Sequence, residues 1–450
     1  MKTPSRHRRD RNKLSRRTFL ALMSASALGF TLGGCAVNPV TGQRQLMLLS
    51  EDQEVAIDRE HAPHQFSADF GVSRDLALNG YVSSTGRELA AFSHRPQMPY
   101  SFQVVNANHI NAYAFPGGTI AVTRGIMLEM NDEAELAALL GHEIGHVTAR
   151  HAAQRMTRGL IAQLAVVGAT LGVTATEDRQ GLAPLVQTLG GISAGVLLAH
   201  HSRDDEREAD ALGMKYADRA GQNPAGMTDL HQILVDQSRR NPNALELMFA
   251  THPMSGERLA TAQGKMANLY RSRQHLPHNV ERYQDQTATL RLLKPSVEEQ
   301  RLGEKAMARE RFARAEPHLK RALTLTPGDY TALILMSRCQ FGLGRKQEAA
   351  EFADQARLVF PGEPQALHVA GIARLGTGDH EVAYQHFMEY EKLLPGNPNT
   401  TFLKGVAREN MGQRATAARY YLHYLRQVNR GGQTGYVRQR LTEWGVLRPR

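Results

Sequence analysis

NDEAELAALLGHEIGHVTARH, residues 131–151, combines the start signals of a helix with the spacing of a metal site. Asn131 reads as the N-cap, and Asp132, Glu133 and Glu135 fall in the first turn, where the helix dipole favours negative charge. The apolar pattern then carries the helix to about Met156. Within it, His142 and His146 are four residues apart. Four steps of about 100° put both imidazoles on one face, one turn apart, where they can share a zinc ion. Glu143 stands between them, and its expected role is to take a proton from the attacking water and pass it to the leaving amine. Leu136 to Leu140 and Val147 make the surroundings apolar, where two His and a Glu are costly unless they act together.

A catalytic zinc site takes three protein ligands and keeps one position open. His151 is the nearest further candidate, but nine helical steps of about 100° set it roughly opposite His142. The metzincin pattern needs a His at position 152, which is Ala152. The third ligand is therefore expected elsewhere. Ser202-Arg203-Asp204-Asp205-Glu206-Arg207-Glu208-Ala209-Asp210 opens a charged helix that runs to about Ala220. Glu206 and Asp210 share one face of it. Glu206 would complete a two-His, one-Glu site, and Asp210 could accept the second ring proton of a ligating His.

Upstream, Ser50 with Gln53 has the form of a capping box and predicts a helix over about 51–69. Phe102, Val104 and Val105, then Ile110 to Phe115, a Pro116-Gly117-Gly118 turn, and Ile120 with Val122 predict two or three strands. Two Gly- and Ala-rich apolar segments, 159–174 and 182–199, read as buried or site-covering helices, with membrane contact as the alternative. A further helix is expected near Ala225 to Ser238.

From about residue 297 the pattern acquires a period. Pro327, Pro361 and Pro395 lie 34 residues apart, as do Gly344, Gly378 and Gly412, and so do Ala315, Ala349, Ala383 and Ala417. Three residue types in one register point to four tetratricopeptide units over about 297–430, each a helix pair with small residues where helices cross. The first is irregular, with Glu310 in the Gly position.

The formal charge of +10 is concentrated at the start: eight basic side chains against Asp10 put +7 within residues 1–17. The remainder gives no support for a nucleic-acid surface. Ser15-Arg16-Arg17-Thr18-Phe19-Leu20 resembles a twin-arginine export signal, and Leu32-Gly33-Gly34-Cys35 resembles a lipobox whose Cys35 becomes lipid-modified. Cys339 is the only other cysteine. It reads as a small core residue, and no disulfide framework is expected.

His142 to His151, Ser202-Arg203 with Glu206 and Ala209-Asp210, and Asn111-Ala112-Tyr113-Ala114-Phe115-Pro116-Gly117-Gly118 together resemble the gluzincin metallopeptidases of the HtpX and BepA type, the latter joined to tetratricopeptide repeats. The resemblance implies one zinc per chain on His142, His146 and Glu206, with Glu143 as the acid-base residue. It also implies an edge strand at Asn111, Ala112, Tyr113 and Ala114 that receives an extended protein substrate. Thr251-His252-Pro253 matches a further motif of these proteins. His252 is read as a fourth ligand or regulator that displaces the catalytic water, or as a donor to the oxyanion.

The expected fold is α+β: a mainly helical peptidase domain with a small sheet, followed by an all-α solenoid. The expected boundaries are a signal at 1–34, a tether at 35–50, the peptidase at 51–285, a linker at 286–296, repeats at 297–430 and a basic, solvated tail at 431–450. The expected activity is endopeptidase action on envelope or outer-membrane proteins, from a lipid anchor on the periplasmic face of a bacterial membrane, with an assembly partner on the repeats and no nucleic acid. A chaperone or scaffold with latent protease activity, and a protease for membrane-embedded substrates, are the competing expectations.

Overall fold

The computed structural model describes residues 35–161, 201–240, 246–253, 256–428 and 431–448. The stretch 1–34, read as an export signal, and the apolar segments beyond Ile161 lie outside these. Among the described residues, no helix is long and apolar enough to cross a membrane.

Cys35–Val37 (β1) pairs antiparallel with Arg44–Leu46 (β2) around a turn held by the Asn38 side chain. Met47 and Leu49, just beyond, are buried. The stretch read as a tether is thus a hairpin packed on the domain, because its apolar side chains find a core. Helix α1 (Glu51–Ala68) begins as expected, with Ser50 and Gln53 bonding each other's backbone N–H. After α2 (Leu76–Ala91) come β3 (Ser101–Val105), β4 (Ala112–Ala114) and β5 (Thr119–Thr123), in the order β3-β5-β4. The alternation of the strands buries both faces. Phe102, Val104, Ile120 and Val122 join Leu78, Val82 and Leu89 of α2 on one side. Val105, Tyr113, Phe115 and Ala121 join Met47, Leu49 and Ala62 on the other.

After α3 (Arg124–Met127), the metal-site helix α4 spans Glu133–Thr148 and every one of its residues is buried. Its N-cap is Asp132, one residue later than expected, whose Oδ1 accepts from Glu135 N at 2.9 Å. The helix also does not continue to Met156. It ends at Ala149, Arg150 takes a left-handed φ of 59°, and a new helical run covers 151–161. Buried charge anchors this break: Arg150 donates to Glu54 Oε1 and to Leu49 O, while Arg95 donates to Glu54 Oε2 and to Val147 O. Helices α5 (Arg203–Arg219), α6 (Gly226–Arg240), α7 (Glu246–Thr251) and α8 (Gly256–Asn268) complete the site region. Helix α5 carries the reciprocal Ser202 and Asp205 cap.

The expected linker is helical and packed. It runs through α9 (Val280–Gln286), α10 (Ala288–Leu292) and the start of α11 (Lys294–Met307), and Leu290 and Val297 are part of the core of the N-terminal domain. Helix α11 pairs with α12 (Phe312–Leu325), α13 (Tyr330–Gly342) with α14 (Lys346–Val359), α15 (Pro364–Thr377) with α16 (His380–Leu393), and α17 (Pro398–Asn410) with α18 (Arg414–Gln427). Each periodic residue has a physical task. Ala315, Ala349, Ala383 and Ala417 are all fully buried, where a larger side chain would not fit as readily. Thr326, Phe360 and Leu394, each preceding a proline, are extended at φ −142°, −135° and −140° and end their helices. Gly344, Gly378 and Gly412 are left-handed, and Glu310 adopts the same conformation at φ 55°. The expected solvated tail contains α19 (Thr434–Glu443), which buries Val437 and Leu441 against Tyr421 and Tyr424 of the last pair. Cys339 is buried, as expected of a core thiol.

The repeats do not hang free of the N-terminal domain. Phe70 and Ala107 enter the core of the first repeats, Ser67 Oγ donates to Glu363 Oε1 at 2.6 Å, and Thr331 Oγ1 donates to Asn106 O at 3.1 Å.

Candidate metal centre

Glycine lets the two site helices meet. A Cβ on Gly145 would stand 3.0 Å from both Cα and O of Ala209, and one on Gly141 would stand 3.0 Å from Gly213 Cα. Helices α4 and α5 therefore cross almost backbone to backbone, and the side chains flanking the crossing converge. His142 and His146 turn their Nε2 atoms to within 3.0 Å of each other. Glu206 Oε1 lies 3.3 Å from His146 Nε2, and its Oε2 lies 3.7 Å from His142 Nε2. His252, just past α7, brings Nδ1 to 3.4 Å from His142 Nε2 and 3.1 Å from Glu206 Oε1.

These distances test the fit of a metal. A regular tetrahedron has edges about 1.63 times its centre-to-corner distance, so zinc bonds of about 2.0–2.1 Å require donors about 3.3–3.4 Å apart. The separations scatter around that value. The donor set of three imidazoles and a carboxylate, with all four residues buried, is the chemistry zinc takes.

The atoms facing away from the centre are also engaged. His142 Nδ1 lies 2.9 Å from Asp210 Oδ1, the partner expected for a ligand's second ring proton. Arg258 of α8 donates to both oxygens of Asp210, at 2.6 and 2.8 Å, and to Glu206 Oε2 at 2.5 Å. His231 Nε2 lies 3.2 Å from Asp210 Oδ2. Burial opposes the ionisation of Glu206 and Asp210. It is outweighed by His252, His146 and His142 around the first and by His231, Arg258 and His142 around the second, so both carboxyls stay well below the usual range. Burial instead pushes the Glu143 carboxyl up, against the pull of His252 and His142. Its Oε2 has no hydrogen-bond partner among the described residues, and its Oε1 is 3.9 Å from His252 Nε2.

His151 is not opposite the site. The left-handed Arg150 swings it round, and its Nδ1 stands 2.9 Å from His146 Nδ1, outside the ring of converging donors. Arg258 escaped the sequence reading altogether. Its signal was an imbalance, since two buried carboxylates on one helix face had no cation assigned to them. Strand β4 forms one edge of the sheet and packs on α4. Its pairing engages Asn111 O with Thr123 N and Phe115 N with Thr119 O, so the alternation leaves the N–H and C=O of Ala112 and Ala114 pointing away from β5. The Tyr113 side chain is buried and donates to Asp69 at 2.7 Å. Cys35 stands far from this constellation in sequence and opens β1.

Residues 76–266 match the model of peptidase family M48, and residues 306–371 match a tetratricopeptide repeat model. The beta-barrel assembly-enhancing protease of Yersinia pestis is 33% identical over 240 residues, 53% of this chain and 47% of that one. The protein of the same name from Escherichia coli K12 is 32% identical over 194 residues, 42% of this chain and 39% of that one. Metalloprotease YcaL of Escherichia coli K12 is 30% identical over 172 residues, 38% of this chain and 63% of that one. The matched stretches span less than half the length of the two assembly-enhancing proteases. The stretch that matches the peptidase family M48 model holds all four converging donors, and the stretch that matches the tetratricopeptide repeat model follows it.

Proposed function

We propose that this protein is a zinc endopeptidase of the bacterial envelope, acting on outer-membrane proteins during assembly or quality control. The observation that carries the reading is the convergence of His142, His146 and Glu206 on one point, with the buried Glu143 carboxyl beside it, its Oε2 without a hydrogen-bond partner among the described residues. When bound, one zinc per chain supplies Lewis-acid polarisation of the scissile carbonyl and acidifies the attacking water. Glu143 takes the proton of that water and returns it to the leaving amine. The substrate backbone adds to β4, next to Asn111, as an extended strand, bonding Ala112 and Ala114 on either side of the rigidly held Tyr113. Asp210 and Arg258 keep His142 and Glu206 in place.

The names of the assembly-enhancing relatives support the envelope substrate, and the repeats suit protein recognition. Twin-arginine export and a lipid on Cys35, favouring the outer membrane, complete the proposal.

His252 supports a refinement. With its Nδ1 3.4 Å from His142 Nε2 and 3.1 Å from Glu206 Oε1, it would be a fourth protein donor to a bound zinc and would take the position a substrate needs. His252 acts as a gate that must leave before cleavage. The competing reading, a chaperone or scaffold with a latent site, draws on the same closure.

Zinc content and casein cleavage of the full chain test these readings. About one zinc per chain, lost in Glu206→Ala, with cleavage abolished by Glu143→Gln and accelerated by His252→Ala, is the expected result. Zinc without cleavage in the parent and in His252→Ala would favour the scaffold.

A further inference from the structure

We propose that His151 is a positioning residue for the metal centre: it accepts the Nδ1 proton of His146 and, through its own Nε2–H, ties that ligand to Glu208. This rests on the zinc reading above and adds to it a residue outside the ligand set.

The proton positions follow from the geometry. An imidazole that offers Nε2 to a cation carries its proton on Nδ1. His146 Nε2 faces the converging donors, so its Nδ1 is a donor, and His151 Nδ1 at 2.9 Å must accept. His151 then holds its proton on Nε2. That atom faces Glu208 Oε2 at 3.2 Å and Asp205 Oδ1 at 3.8 Å. Both rings are buried, with centroids 5.1 Å apart and planes at 70°, so no alternative partner competes from bulk water. The Nδ1 sides of the two ligating imidazoles are thus held differently: His142 Nδ1 meets the Asp210 carboxylate directly, whereas His146 Nδ1 reaches a carboxylate through a second imidazole. Helix α5 supplies both ends, from Asp210 on one face and Glu208 with Asp205 on the next.

The backbone is shaped to make this contact. A continuous helix would hold residue 151 away from His146. The left-handed conformation at Arg150, which L side chains rarely adopt, turns the chain, and the buried Glu54 and the Leu49 carbonyl hold the Arg150 guanidinium. Arg95, on the same Glu54, secures the last turn of α4 at Val147.

The test is the zinc dissociation constant of the full chain, measured by competition with a chromophoric chelator, for the parent, His151→Gln, His151→Leu and Glu208→Ala. The Gln and Leu side chains fill similar space, but only Gln offers an acceptor to His146. His151→Leu is expected to bind zinc about 10–100-fold more weakly, and His151→Gln closer to the parent. Glu208→Ala is expected to lose less, because Asp205 remains. The far end of the relay is partly exposed, so this variant tests the proposal even if the Leu variant does not fold. Parental affinity in His151→Leu or, should that variant not fold, in Glu208→Ala, or equal losses in Gln and Leu, would overturn the relay and leave His151 a packing residue. A parent that binds no zinc would overturn the site itself, an outcome separable from either.

Discussion

Arg124 grips Asp329 with both prongs of its guanidinium, Nη1 to Oδ2 at 2.7 Å and Nη2 to Oδ1 at 3.3 Å, across the joint between peptidase and repeats. Arg124 directly follows β5, and Asp329 caps α13 by accepting from Ala332 N. Asn108 Oδ1 accepts from Nε and Nη2, and Gln300 Oε1 from Nη2. Both partners are buried, so removing one strands the other: Arg124→Met should cost about 3–5 kcal/mol of stability. Replacing the pair together, with Arg124→Met and Asp329→Leu, should recover much of it. Calorimetric unfolding of the single and double variants checks this.

The same pair sets a pH dependence. Burial opposes ionisation of Asp329, but Arg124 outweighs it and holds the carboxyl below its usual range. A depressed folded pKa stabilises fully above the unfolded value of about 3.9, and the contribution fades as pH falls through the folded value. Glu304, buried nearby and pushed up by that burial, works in the opposite sense. The discriminating quantity is therefore the stability difference between the parent and Asp329→Asn. It should be constant from neutral pH to about pH 5 and shrink towards about pH 3 in thermal melts.

The helix crossing is equally exposed to a single methyl. Gly145→Ala places a Cβ against backbone atoms of Ala209, which lies between Glu206 and Asp210 on α5. Backbone cannot rotate away as a side chain can, so α5 must shift. The expected cost is about 1–3 kcal/mol, together with weaker zinc binding, read by thermal melts and chelator competition. An unchanged zinc affinity would mean that the carboxylates tolerate the shift.

Asp210→Asn keeps the shape of the side chain but removes the charge that faces His142 and Arg258. Zinc should bind about 10–100-fold more weakly. Titration of the apo protein with zinc measures it, and parental affinity would show that Asp210 does not act through His142.

Glu310 holds a left-handed conformation where the later repeats have glycine. Glu310→Gly should stabilise the first repeat by up to about 1 kcal/mol, since a non-glycine residue is strained there by about 1–2 kcal/mol and glycine loses more freedom on folding. Denaturant unfolding reads the difference.

The solenoid was legible because its information is periodic and local. The alanines mark buried positions, the prolines force the preceding residue to be extended, and the glycines mark left-handed turns. The hairpin at 35–46, the helical passage at 286–296 and the packed α19 were not legible. Each is short and takes its order from the surface it lands on, not from its own pattern.

At the metal site, the sequence by itself determined that His142 and His146 share a face of one helix and that Glu206 and Asp210 share a face of another, because helical spacing is a property of the chain alone. What only the tertiary structure decided is how those faces meet. The crossing at Gly145 and Ala209 sets the donor distances, and α8 brings Arg258 to the two carboxylates. A single left-handed residue, held by a glutamate nearly a hundred positions upstream, turns His151 from the far side of a helix to the back of a ligand. Contacts of that kind depend on packing between segments distant in sequence, which no local period records.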